Sequence, residues 1–206
     1  MLKLHYAPGT ISIAVAIALE EAGLAYEPVK VDFANAEQTQ AAYLALNPKG
    51  RVPVLVTEGG AVMTETGALL DYIAARVPDA GLTPADAEDA AHMRSVMYYL
   101  ASTMHVAHAH KMRGPRWADQ PSSHEDMRAR VTGNMADCAA YVNAHCLRGD
   151  YVLGDSFSIA DPYLFVVCNW LKGDGVDPSD YPAIAAFMAQ MEARDSLKAV
   201  RAKGML

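Results

Sequence analysis

Hydrophobic and polar positions divide the chain into two halves with different periodicities. Leu2-Lys3-Leu4-His5-Tyr6 alternates with a period of two, as a strand with one buried face does. From Ile11 to Ala22 the run is almost wholly apolar and ends at Gly23, which predicts a helix buried on most sides with a glycine stop. Tyr26 to Phe33 alternates around Val29 and Val31, a second strand. Strand, helix and strand in so short a span form a βαβ unit, hence a parallel pair with a right-handed crossover. Ala36 to Leu46 reads as a short alanine-rich helix. Val52-Pro53-Val54-Leu55-Val56 is a strand with a proline near its start, where a missing donor is tolerated. Glu58-Gly59-Gly60 turns it back into Ala61-Val62-Met63. Thr64 is expected to cap a helix from Glu65 to Val77, apolar at Ala68, Leu69, Tyr72 and Ile73 and closed by Pro78.

The second half carries no strand pattern. Pro78 to Pro84 is rich in turn residues, and beyond it helices are predicted over Asp86–His110, Glu125–Leu147, Ile159–Leu171, Tyr181–Ala193 and Ser196–Ala202. Ser158-Ile159-Ala160-Asp161 is a capping box at the head of the third of these; Pro162 falls one residue late and forfeits one first-turn hydrogen bond. Residues 113–121, Arg113-Gly114-Pro115 onward, are a loop. The expected organisation is an α/β domain over 1–78, a linker over 79–86 and an all-helical domain over 87–206.

Composition narrows the function classes. Over 206 residues, 52% apolar and 20% charged side chains describe a soluble globular protein. A net charge of −7 argues against nucleic acid or an anionic membrane as the main partner. No run of about 18 apolar residues would span a bilayer, and the N-terminus does not read as a signal peptide. Cys138, Cys146 and Cys168 are odd in number and lack metal-type spacing, which fits buried thiols in a reducing cytoplasm.

Three motifs, in this order and spacing, carry a resemblance: Asn47-Pro48-Lys49-Gly50, Val52-Pro53 and Thr64-Glu65-Thr66. Together they resemble the glutathione site of the cytosolic glutathione transferases, whose first domain is thioredoxin-like and whose second is all-helical. The β-α-β-α-β-β-α order and the Ser158–Asp161 box extend the resemblance over essentially the whole chain. It implies a cis peptide before Pro53, with the Val52 backbone pairing, strand-like, with the cysteinyl part of glutathione. It implies that Glu65 takes the γ-glutamyl ammonium and Thr66 its carboxylate at a helix start. Arg51 and His105 are implied as further glutathione contacts. Ile11, Arg113 and Trp117 are implied for the second-substrate pocket. A homodimer is implied too.

Tyr6-Ala7-Pro8-Gly9 is most similar to the bacterial beta class, which carries a cysteine two residues after this Gly. Here Ile11 stands there, flanked by Thr10 and Ser12, so a mixed disulfide with the protein's own thiol is not expected. A hydroxyl can replace it. Lowering a thiol from pKa about 8.5 to about 6.5 takes about 2.7 kcal/mol. A helix N-terminus supplies about 0.3–1 kcal/mol and a hydrogen bond to a charged group about 1.5–3 kcal/mol, together just enough. Ser12 ranks first as donor, Thr10 second and Tyr6 third; simple helix capping is the competing role for Ser12. His105 and His108 share a helical face, but without nearby carboxylates they are a poor metal site, and no metal is expected. The implied activity is addition of the glutathione thiolate, as co-substrate, to small hydrophobic electrophiles in bacterial detoxification. A non-catalytic ligand-binding or interaction protein of the same fold and a glutathione-dependent isomerase are the alternatives.

Overall fold

The computed structural model describes all residues from Met1 to Leu206. The strands are β1 (Leu2–Tyr6), β2 (Tyr26–Lys30), β3 (Val54–Val56) and β4 (Val62–Thr64). The helices are α1 (Ser12–Glu21), α2 (Ala41–Leu46), α3 (Thr66–Arg76), α4 (Ala87–Tyr99), α5 (His105–Ala109), α6 (Pro121–Tyr141), α7 (Ala160–Asn169), α8 (Pro182–Ala193) and α9 (Asp195–Ala202). They form two compact units: residues 1–84 together with 192–206, and residues 85–191. No helix is long and apolar enough to cross a membrane.

The first unit is thioredoxin-like, a four-stranded sheet in the order β2-β1-β3-β4. β1 and β2 are parallel, as a βαβ crossover requires, and β3 and β4 add antiparallel strands. The alternation of β1 sends Leu2, Leu4 and Tyr6 inward. α1 is buried from Ser12 to Leu19, as its unbroken apolar run demands. Three local expectations change. The Ala36–Leu46 segment is a 3-10 turn, Glu37–Thr39, followed by the single short helix α2. β2 stops at Lys30, short of Phe33. Thr64 does not cap α3: it ends β4, and its hydroxyl accepts from Lys49 Nζ at 2.7 Å.

The tail also belongs to this unit. α9 packs on α1, where Arg194 donates to both oxygens of Glu21, at 2.6 and 2.7 Å. Both side chains are largely buried, so this pair is less screened than a surface salt bridge.

The second unit is all helical. Asp86 caps α4 by accepting from the backbone N–H of Glu88 and Asp89. A π-helical segment, Leu100–Met104, joins α4 to α5, so the expected long helix is one run with a local widening. α6 begins at Pro121, earlier than Glu125, because proline suits a first helical position. The capping box forms: Asp161 Oδ2 accepts from Ser158 N–H at 2.6 Å and from its hydroxyl at 3.0 Å. The Ser158 carbonyl that Pro162 leaves unclaimed instead takes the Asp161 N–H, 3.1 Å away.

Candidate functional site

The loop from β1 to α1 brings two hydroxyls together at the head of a helix. Thr10 Oγ1 and Ser12 Oγ lie 2.7 Å apart, and Thr10 donates to the Ala7 carbonyl at 2.8 Å. Ser12 Oγ accepts from the Ala7 N–H at 3.2 Å and lies 3.3 Å from the Ala7 carbonyl. Ser12 is fully buried and Thr10 is not. Thr10 is therefore the hydroxyl a ligand can reach, and Ser12 stands behind it. If Thr10 turns its proton outward, Ser12 can take over the bond to the Ala7 carbonyl. Ile11 is buried beside them, and Tyr6 is buried at the end of β1. No acidic side chain occupies the first turn of α1, so its positive end is not neutralised from within the protein.

Val52-Pro53 is a cis peptide. The residue before it is gripped from two sides: the Arg51 carbonyl accepts from the Tyr43 hydroxyl at 2.8 Å and from Asn47 Nδ2 at 2.7 Å. Burial raises the Tyr43 hydroxyl pKa to about 12, so it remains a donor. The Val52 N–H and C=O take no hydrogen bond from the protein, which leaves a strand-like edge for a peptide ligand. The Arg51 side chain points to solvent.

At the head of α3, Glu65 has a φ of +74°, a left-handed conformation that is costly for a non-glycine residue. Its carboxylate is exposed and pairs with Lys49 Nζ at 2.5 Å. Thr66 is buried at the first helical position, and again no acid stands in the first turn. A carboxylate acceptor for a cation and a helix start for an anion thus adjoin, the pair that an α-amino acid end requires.

In the second unit His105 lies edge-on to Trp170, with ring centroids 4.9 Å apart, and His108 stacks on the same indole at 4.2 Å. His108 Nδ1 donates to Asp174 Oδ2 at 2.6 Å, and Asp174, whose side chain is fully buried, also accepts from Lys111 at 3.2 Å. No carboxylate lies near these histidines in sequence; the structure brings one to His108 from 66 residues away. Trp117 packs edge-on against His110 at 4.6 Å, and Arg113 is exposed. Tyr43, Asn47, Trp170 and Asp174 were missed as site supports. Only Asn47 carried a local signal, its turn with Pro48. All three cysteines are free and buried, and burial raises the thiol pKa values, that of Cys146 to about 11.

Residues 1–75 match the profile of the glutathione S-transferase N-terminal domain, and residues 125–190 that of its C-terminal domain. Glutathione S-transferase GstA of Escherichia coli O157:H7 is 31% identical over 207 residues, covering 99% of this chain and 100% of the relative. The chain belongs to the glutathione S-transferase family. A glutathione transferase homolog from sulfitobacter, crystallised with bound glutathione, is 67% identical with a TM-score of 0.99, over 100% of this chain and 99% of the other. The beta-class glutathione S-transferase of Sphingomonas chungbukensis is 32% identical with a TM-score of 0.84, over 99% and 100%. The unpaired Val52 backbone and the Glu65–Thr66 start fall on motifs that carried the resemblance, and the hydroxyl pair flanks Ile11, where the chain departs from the beta-class pattern.

Proposed function

We propose that the protein is a glutathione transferase that conjugates the glutathione thiolate to small hydrophobic electrophiles, activating the sulfur with a hydroxyl in place of a cysteine. The observation that carries this reading is the Thr10–Ser12 hydroxyl pair at a helix start free of acids. Thr10 donates to the sulfur, and Ser12 holds Thr10 in position. Val52 pairs with the cysteinyl backbone. Glu65 takes the γ-glutamyl ammonium, sharing its carboxylate with Lys49, and Thr66 takes the γ-glutamyl carboxylate. His105 and Arg51 are further glutathione contacts. Ile11, Arg113 and Trp117 contact the electrophile. The thiolate forms a bond to the electrophilic carbon and displaces a leaving group or adds across a double bond, with rate gained from a lowered thiol pKa and from proximity.

The ultraviolet absorbance of bound thiolate, followed against pH, tests the assignment directly. Thr10→Ala should raise the thiol pKa by about 1–2 units, since a hydrogen bond to a charged group is worth about 1.5–3 kcal/mol. Ser12→Ala should move it less. An unmoved titration in both variants, with turnover intact across several electrophile classes, would remove the hydroxyl assignment. The working state is a cytoplasmic two-fold homodimer. Exposed Tyr98 and Tyr141, on helices of the second unit, supply apolar surface for an isologous contact. Light scattering that finds a stable monomer at micromolar concentration would refute it.

A further inference from the structure

Asp174 is a buried carboxylate that does not depend on its histidine to stay in place. It closes the 3-10 turn Lys172–Asp174 after α7, and its N–H donates to the carbonyls of Trp170 and Leu171 at 3.0 and 2.9 Å. Its own carbonyl takes the Thr132 hydroxyl of α6 at 2.7 Å. Lys111 Nζ lies 3.2 Å from Oδ1 and compensates the charge, as a carboxylate taken out of water requires. Oδ2 remains, and it accepts the Nδ1–H of His108 at 2.6 Å.

What His108 gains from this contact is orientation. A ring nitrogen that faces a carboxylate carries a proton, so Nδ1 is the donor and Nε2 is the reactive end of the imidazole. The ring also stacks on Trp170, with centroids 4.2 Å apart and planes 19° from parallel. Asp174 thus sets the rotation of the ring and Trp170 its plane. Nε2 has no hydrogen-bond partner within the protein and is open to solvent, on a side chain that is 28% exposed. A histidine held at one nitrogen by a buried carboxylate and open at the other is built to give or take a proton. It stands one turn of α5 from His105, which meets the same indole edge-on, and just ahead of the loop that carries Arg113 and Trp117.

We propose that His108 is the catalytic acid of conjugate addition, protonating the enolate formed when glutathione adds to an α,β-unsaturated carbonyl compound. The proposal rests on the transferase reading, in which His105 contacts glutathione and Arg113 and Trp117 the electrophile. A lone pair of the thiolate sulfur forms the C–S bond at the β-carbon, and the π pair moves through the α-carbon onto the carbonyl oxygen as an enolate. The enolate then takes the proton of His108 Nε2 at its α-carbon and regains the carbonyl, while the N–H pair stays on the ring. Asp174 balances the imidazolium before the transfer. Neutral His108 afterwards recovers a proton from water, which had accepted that of the thiol. Displacement of halide from a haloarene needs no such proton, so His108 separates the two electrophile classes.

The probes are cyclohexenone and chlorodinitrobenzene, each with glutathione and the full chain. His108→Gln removes the acid yet keeps an N–H for Asp174, whose charge stays paired with Lys111; His108→Asn is the second route should that protein fold poorly. With cyclohexenone kcat/KM should fall about a hundredfold, at the lower end of what general acid catalysis contributes. With chlorodinitrobenzene it should change by no more than about twofold, as should the glutathione dissociation constant. In deuterium oxide the parent should place deuterium on one face of the α-carbon, read by nuclear magnetic resonance, and the variant on both. Equal losses with both probes would make His108 a support of the fold and overturn the proposal, as would an unmoved rate with cyclohexenone. A loss confined to cyclohexenone with deuterium still on one face assigns the acid elsewhere. A parent that conjugates chlorodinitrobenzene but not cyclohexenone overturns the proposal alone. A parent that binds glutathione and conjugates neither overturns the transferase reading, and the role of His108 with it.

Discussion

Two buried serines stand at the heads of two buried helices, and they do different things. Ser158, before α7, faces a carboxylate of its own protein: Asp161 accepts from its N–H and hydroxyl and from the Val152 N–H at 2.9 Å. That helix start is filled by an internal anion, and its donors are paired. Ser12, at the start of α1, has only neutral partners, the Ala7 peptide groups and the Thr10 hydroxyl, and no acid in the first turn. A helix N-terminus favours negative charge whichever molecule supplies it. Where the protein provides the charge, the serine contributes stability. Where it withholds the charge, the same residue type leaves a place for an external anion, which under the proposed function is the glutathione thiolate.

Asp161→Ala should have the largest effect, and on stability alone. It leaves three buried donors without their acceptor, and at the lower end of about 1–3 kcal/mol each, about 3–5 kcal/mol should be lost in denaturant unfolding. The thiol titration of bound glutathione in the protein that remains folded should match the parent. A titration that shifts with Asp161 would mean that the two helix starts are not independent.

Glu65→Ala comes next and probes a third helix start, that of α3, whose first turn carries no acid and whose N-cap residue is Glu65 itself. Calorimetric titration should show glutathione affinity lower by about 1.5–3 kcal/mol, the worth of a charged hydrogen bond. Because Lys49 also loses its partner, the Lys49→Met variant is the companion: it should leave most of the affinity in place. Full affinity in a folded Glu65→Ala protein would remove Glu65 from the glutathione site.

The sequence made the two helix starts legible to different degrees. The Ser158–Asp161 box could be read directly, because both partners lie within one turn and its spacing follows from helix geometry. The β-α-β-α-β-β-α order was equally legible, since periods of 2 and 3.6 survive in local sequence. The alanine-rich segment 36–46 was misread because propensity carried no information about the break at Gln40, whose extended backbone separates a 3-10 turn from α2. Thr64 was read as a cap on residue type; the chain enters α3 through a left-handed Glu65, which no propensity favours. Asp174 beneath His108 and Met205 beneath Gly9 are contacts between distant residues and left no local trace. The accessible hydroxyl was the finest distinction. Ser12 and Thr10 are both plausible donors by type and spacing, and only burial separates them.

The smallest effect should come from Ser158→Ala, and it is the control on which the comparison turns. The substitution removes the hydroxyl donor to Asp161 and the long contact from Ala160 N–H at 3.4 Å. Asp161 keeps the N–H groups of Val152 and Ser158, so no buried charge is left unpaired and no backbone donor of the box is lost. The cost should be about 1 kcal/mol, that of one N-cap side chain, measured as a shift in the denaturant midpoint with unchanged slope. Ser12→Ala removes an acceptor of similar kind, for the Ala7 N–H, and should cost about as much in unfolding. The two variants are thus matched in stability and differ in what each serine supports. Only Ser12→Ala should raise the pKa of bound glutathione, because only that hydroxyl holds Thr10. If Ser158→Ala shifts the titration equally, general loosening explains both results, and the distinction between a filled and an unfilled helix start fails.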